Sequence, residues 1–411
     1  MNQKKSPSFY QYWSPAGAGF LLNTTSIGLF GVYGLFVNVV ADEFNSSAAA
    51  LGIGMALIAL VMGLAGPIIG PLLDRYSIKK IMVSGVLVML LSFLALSRGS
   101  SLALMGLMLC CVGVGIALYG QLPANVMLVN NYIADRGRAL SIAAAGASFG
   151  GVFLPPLAAL LMSVFGWRNG LVGLAFICGT GALVSILFGL RHYKKLEPVI
   201  APAESPTKDS EQPVKTSLLR SKAFWLTGIC FGLSYAAGAI YSFALIPHAQ
   251  NLGYDIQQAA LILSVGGAFG FVGKISYAIY ADKLRDKLIP TTFVLLSVQL
   301  LIWLTVIHTD NIYLLYLSAA GVGLCSGTFL PLYPVFISTY FDESVMGKVS
   351  GNQGLIFLPF MLLAAPMAGV AYDTTGSYVP IFWAVFGVTL VMMTLFIILG
   401  KPQRASIQTV P

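Results

Sequence analysis

The sequence predicts an all-α membrane protein of twelve transmembrane helices in two six-helix bundles, with both termini cytoplasmic. Three observations carry this. Of 411 residues, 57% are apolar and only 9% charged, with a mean hydropathy of +0.84, whereas a soluble domain is about 25% charged. Twelve apolar segments are long enough to cross a hydrocarbon layer of roughly 30 Å. The basic residues fall overwhelmingly on one side of the predicted spans.

The predicted spans are 18–40, 48–72, 80–97, 101–127, 137–162 and 169–190, then 223–247, 258–281, 289–307, 311–339, 350–372 and 377–400. Between the sets lies "RHYKKLEPVIAPAESPTKDSEQPVKTSLLRSK", whose Pro, Ser and charge content reads as a linker. The organisation is therefore an N-terminal bundle over 1–190, a cytoplasmic linker over 191–222 and a C-terminal bundle over 223–411. With the N-terminus inside, 20 of the 23 Lys and Arg lie on the inner side and only Arg98 and Arg168 on the outer. The net charge of +8 is thus a topology signal and does not imply nucleic-acid binding.

The start, "MNQKKSPSFYQYW", is too polar, and the apolar stretch after it too long, for a cleaved signal peptide, so the first span is expected to stay as an anchor. The five cysteines fall in predicted helices without paired or metal-like spacing and read as small packing residues. No metal site, cofactor or nucleotide fingerprint is expected, which argues against an enzyme and against ATP-driven pumping.

The two halves echo each other. "GPIIGPLLDRYSIKKIMVSG" follows the second span and "GKISYAIYADKLRDKLIP" the eighth, and each sets an Asp and a basic residue at the predicted cytoplasmic helix end. A parallel repeat of this kind is how the halves of alternating-access carriers are built. Asp74, Arg75, Lys79, Asp282 and Lys283 are therefore candidates for a cytoplasmic gate; the alternative is that they only enforce positive-inside topology.

The pattern "GPLLDRYSIKK", with the six-plus-six layout, resembles the major facilitator superfamily over essentially the whole chain. More narrowly, "YGLFVNVVADEFNSSAAALGIGMAL" (33–57), "ADRGRALSIAAAGASFGGVFLPP" (134–156), "GWR" (166–168) and "AYDTTGSYVPIF" (371–382) resemble its monocarboxylate porter branch, which includes the oxalate/formate exchangers.

One basic residue stands inside a span. Lys274 lies eight residues before Asp282, about 12 Å along a helix from its cytoplasmic end. Such a charge costs on the order of 2.5–3.5 kcal/mol on insertion scales. An anionic ligand would offset that cost, and the lysine could release its proton when the anion leaves; the alternative is a lysine reaching a polar interface for stability alone. The resemblance implies that the basic residue here binds the substrate carboxylate, with Lys in place of the more usual Arg, a point charge without the planar fork. None of the 15 acidic residues is predicted near the middle of a span, so a carrier for organic cations is disfavoured.

Further polar groups are candidates for the pocket. "GIALYGQLPANVMLVNN" offers Tyr119 and Asn125, the first a substrate-contact position by the resemblance, and "CSGTFLPLYPVFISTY" sets Tyr333 between two prolines that can bend the helix. His248 and Asp255, in "IPHAQNLGYD", look by the resemblance like an outer proton site or gate; the bland reading is an exposed loop histidine. The lead expectation is secondary active transport of a small monocarboxylate coupled to protons, by alternating access, in a bacterial inner membrane, with no obligatory protein partner. Organic anion exchange is the first alternative, a multidrug exporter a weaker one, and a membrane sensor or scaffold the alternative from another class.

Overall fold

The computed structural model describes residues 9–132, 135–191, 221–284, 287–341 and 346–400. Among them are thirteen α-helices and no strand. The first span is composite: α1 (Phe9–Gly31), a 3-10 turn (Tyr33–Phe36) and α2 (Val37–Phe44). Then come α3 (Ala48–Arg75), α4 (Ile78–Ser97), α5 (Leu102–Tyr119), α6 (Gln121–Asn131) and α7 (Arg136–Val184). The second half holds α8 (Lys222–Asn251), α9 (Ile256–Leu284), α10 (Leu288–His308), α11 (Ile312–Tyr340), α12 (Met346–Thr375) and α13 (Val379–Leu399).

Among the described residues, eleven helical stretches are long and apolar enough to cross a membrane. One of them, Gly137–Gly189, has 53 residues, about 80 Å of helix, and reverses at Gly166 with φ 75. Only glycine adopts that conformation cheaply, so the stretch folds back as two spans and the total is twelve. The predicted fourth span also differs: it breaks at Gly120 between α5 and α6, because Pro123 has no N–H to donate to the preceding turn. The first span begins at Phe9 rather than 18 because Tyr12 and Trp13 pack on Tyr132, with ring centroids 5.3 and 5.6 Å away, as an aromatic anchor.

The spans pack through small residues. At Gly146 and Gly150 an added Cβ would lie 2.0 Å from Phe20 O and 2.5 Å from Thr24 O, so α7 lies backbone-to-backbone on α1. Small residues are what allow membrane helices to approach this closely.

The halves meet unevenly. At the end where α3 begins and α12 finishes, Gly52 abuts Ala365 O and Gly369 abuts Ala48 and Ala49, leaving no room for a side chain. Tyr33 stacks on Phe243, and Asn38 Nδ2 donates to Gln250 Oε1 at 3.0 Å. At the opposite end of the same two helices, nothing described lies within 4 Å of the Cβ position at Gly66, Gly70, Gly351 or Gly354. One end is sealed and the other open.

Overpacking the seal should therefore open it. Gly369→Leu sets a side chain into the α3 backbone, a penalty of about 1–3 kcal/mol, or roughly 5- to 150-fold in the equilibrium between conformations. Spin labels at Asp42 and Thr374, both exposed at the sealed end, should report a longer distance in the variant; an unchanged distribution would mean that this contact does not hold the seal.

Candidate functional site

Lys274 lies ten residues before the end of α9, about 15 Å along the helix. Its direction is set by the helix on either side. Gly266, Gly270 and Gly273 press against Gly323, Gly327 and Leu324 of α11. Gly267 and Lys274, seven residues apart on another face, turn to α7, where Gly267 meets Gly151. Lys274 Nζ donates to Ser148 Oγ at 2.7 Å across the halves.

The named contacts between α7 and α9 run from Gln257 and Ser163 at the sealed end, through Gly267 and Gly151, to this one. The ion pairs among the described residues are Arg138–Asp135 and Arg168–Glu43, so Lys274 has no carboxylate partner there.

A second polar group belongs to the C-terminal half. Tyr333, on α11, donates to Gln353 Oε1 at 3.1 Å, and Gln353 Nε2 donates to Phe224 O at 2.8 Å and Thr227 Oγ1 at 2.7 Å. Gln353 is fully buried, yet both ends of its amide are satisfied. Tyr235 and Tyr333 each pack on Phe357, at 5.3 and 5.5 Å between centroids. One amide thus ties α8, α11 and α12 together and orients the Tyr333 hydroxyl.

Other predicted site residues are placed differently. Tyr119 is fully buried, facing Thr25 and Cys178 inside the N-terminal bundle; in this conformation it does not meet the other half. Asn125 is half-buried on α6. His248 and Asp255 are not brought together. His248 is buried against Phe382, 5.1 Å between ring centroids, with Asp310 as its nearby acid. It is therefore no loop histidine, because α8 runs on to Asn251 and carries it inside the C-terminal bundle.

Asp255 caps α9. Its Oδ1 accepts from Gln258 N at 2.8 Å while its own N–H donates to Gln258 Oε1 at 3.3 Å, a reciprocal box that satisfies the first turn. Of the predicted gate residues, Arg75 is exposed and Lys79 half-buried at the open end. The side chains of Asp74, Asp282 and Lys283 lie outside the described residues. No group of three or more His, Cys, Asp or Glu comes together among the described residues.

Two clamps at the sealed end were not singled out from the sequence. Asp373, at the end of α12, accepts from Ala48 N at 2.8 Å and Ala49 N at 2.9 Å, setting its carboxylate on the N-terminus of α3 in the other half. Glu43 accepts from Trp167 Nε1 at 2.5 Å and from Arg168 Nε and Nη2 at 3.1 and 2.6 Å. Arg168 also donates to Ser97 O and Gly99 O at 2.6 and 3.1 Å, tying three spans of the N-terminal bundle together. The signal was present, since "ADEF", "GWR" and "AYDTTG" are the segments that carried the family resemblance.

A family model for the Major Facilitator Superfamily matches residues 18–357 and 227–409. The chain belongs to the Major Facilitator Superfamily. Monocarboxylate transporter 11 of Homo sapiens is 26% identical over 407 residues, covering 95% of this superfamily member and 83% of the relative. Monocarboxylate transporter 12 of Homo sapiens is 25% identical over 297 residues, covering 66% and 57%. The chain spans 57–66% of the length of the monocarboxylate transporter 12 relatives that it matches.

Among solved structures, a bacterial homolog of the human lysosomal transporter Spinster, inward-facing and occupied, superposes with a TM-score of 0.73 at 13% identity over 93% of this chain and 96% of that one. A peptide transporter in complex with alafosfalin gives 0.74 at 16% identity, over 96% of each. These likenesses are of fold. The chain is an integral, polytopic membrane protein of this superfamily.

The Arg168 clamp makes a stability prediction. Arg168→Lys loses the fork that reaches Glu43 and two carbonyls at once, at about 1.5–3 kcal/mol for hydrogen bonds to a charged group. Thermal unfolding in detergent should fall for Arg168→Lys and for Glu43→Gln, and the double variant should lose less than the sum. Additive losses would show that the two residues act separately.

Proposed function

We propose that this transporter carries a small monocarboxylate together with a proton, by alternating access, and that Lys274 binds the substrate carboxylate. The observation that carries the reading is Lys274 itself: an ammonium within a span, at the junction of the halves, held among the described residues only by a neutral hydroxyl. A charge so placed calls for an anion, and an anion arriving from the open end would meet it where the seal stops. Similarity to the monocarboxylate transporters supports the carboxylate class.

Tyr333 serves as a second donor from the same half, oriented by Gln353. Coupling follows from charge: a carboxylate that enters with a proton moves as a neutral pair. The open end carries Arg75, Lys79 and Lys80 and the sealed end Arg98 and Arg168, so in this reading the open end is cytoplasmic and the state inward-facing. The Asp74 and Asp282 clusters would then close that end in the alternate state.

Uptake into proteoliposomes, with labelled C1 to C6 monocarboxylates and an imposed inward proton gradient, tests this. One small monocarboxylate should accumulate with the gradient, and Lys274→Ala should reduce that uptake by about tenfold or more, the worth of a charge-assisted hydrogen bond. Uptake that needs liposomes preloaded with a second anion would mean exchange. No carboxylate uptake by well-folded protein would overturn the reading.

A further inference from the structure

We infer that Ser148 is the residue that receives Lys274 when the carrier is empty, and that it decides whether the protein can complete net transport rather than exchange alone. This rests on the proposed carboxylate role of Lys274 and goes one step further, to how the unloaded protein returns.

An ammonium in a membrane span is costly without a partner. Besides releasing the lysine's proton with the departing anion, a carrier that binds its substrate through such a group has two solutions for the empty state. It can wait for a new anion, which makes it an obligate exchanger, or it can supply a surrogate partner of its own. Such a partner is in reach: Lys274 Nζ sits 2.7 Å from Ser148 Oγ.

The surrogate is suited to its task in three ways. First, it is neutral. A carboxylate in its place would form a buried ion pair with Lys274 and compete with the substrate charge for charge, whereas a hydroxyl can be displaced. Second, Ser148 comes from the opposite half, so the empty protein keeps its halves joined at the depth where the substrate would otherwise bridge them. Third, the hydroxyl is unusual in this fold. Ser26, Ser92, Ser141, Ser185 and Ser264 all donate to a carbonyl four residues back in their own helices, while the bond seen for Ser148 is the one from Lys274. Ser148 is only 7% exposed, so water does not readily replace it.

The inference predicts a split between two transport modes. Exchange reloads an anion before each reorientation, so the carrier never turns over with Lys274 unoccupied; net uptake requires the empty return. In proteoliposomes with the carboxylate that wild type carries best, Ser148→Ala should slow gradient-driven net uptake by about tenfold or more, the loss of one hydrogen bond to a charged group, while exchange against preloaded substrate continues. Ser148→Thr, which keeps a hydroxyl, should restore net uptake.

Persisting exchange also shows that the variant is folded. Equal loss of both modes in Ser148→Ala, or loss of neither, would overturn the surrogate role. If wild type moves no carboxylate in either mode, the reading beneath fails first, and the two failures are told apart by the wild-type measurement alone.

Discussion

An ammonium inside a hydrocarbon layer must have a partner, and the organisation of this protein turns on the partner that Lys274 finds. The residue is carried by α9, pressed on one side against α11 through three glycines and free on another face to reach α7. Ser148 answers it from the opposite half. Where a soluble protein would let the lysine reach water, here the same group becomes a link between two bundles.

That link lies where a sealed interface gives way to an open one. Toward the sealed end, glycines bring α3 onto α12 and α7 onto α9, and Asp373 places a carboxylate on the exposed N–H groups of α3. Every one of these contacts is short-range. In the proposed alternating access, tilting one half against the other would break them together. The Glu43–Arg168 clamp differs, because it joins spans within one half.

Much of the scaffold was legible in the amino acids. Span count, the two-half layout and the intramembrane lysine followed from hydropathy and charge, and the structure places Lys274 between the halves. The turn at Gly166 lay within the predicted break between 162 and 169. Facing was not legible. Tyr119 points into its own bundle and His248 into the other, because lipid-facing, bundle-facing and cavity-facing surfaces of a membrane helix share one apolar composition. Asp255, a candidate for an outer proton site or gate, also caps α9, a role that needed the partner Gln258 to be recognised. Ser148 carried no signal among the alanines, glycines and serines around it, since its partner lies 126 positions away.

The central claim is that a substrate carboxylate meets the Lys274 ammonium. Solid-state NMR on carrier reconstituted in lipid, with 15N at lysine Nζ and 13C at the carboxylate of the transported acid, measures that encounter directly. The account predicts dipolar coupling from a separation within roughly 4 Å, the reach of an ion pair, and its disappearance in Lys274→Met. Coupling that survives the substitution, or none at saturating ligand, would contradict it.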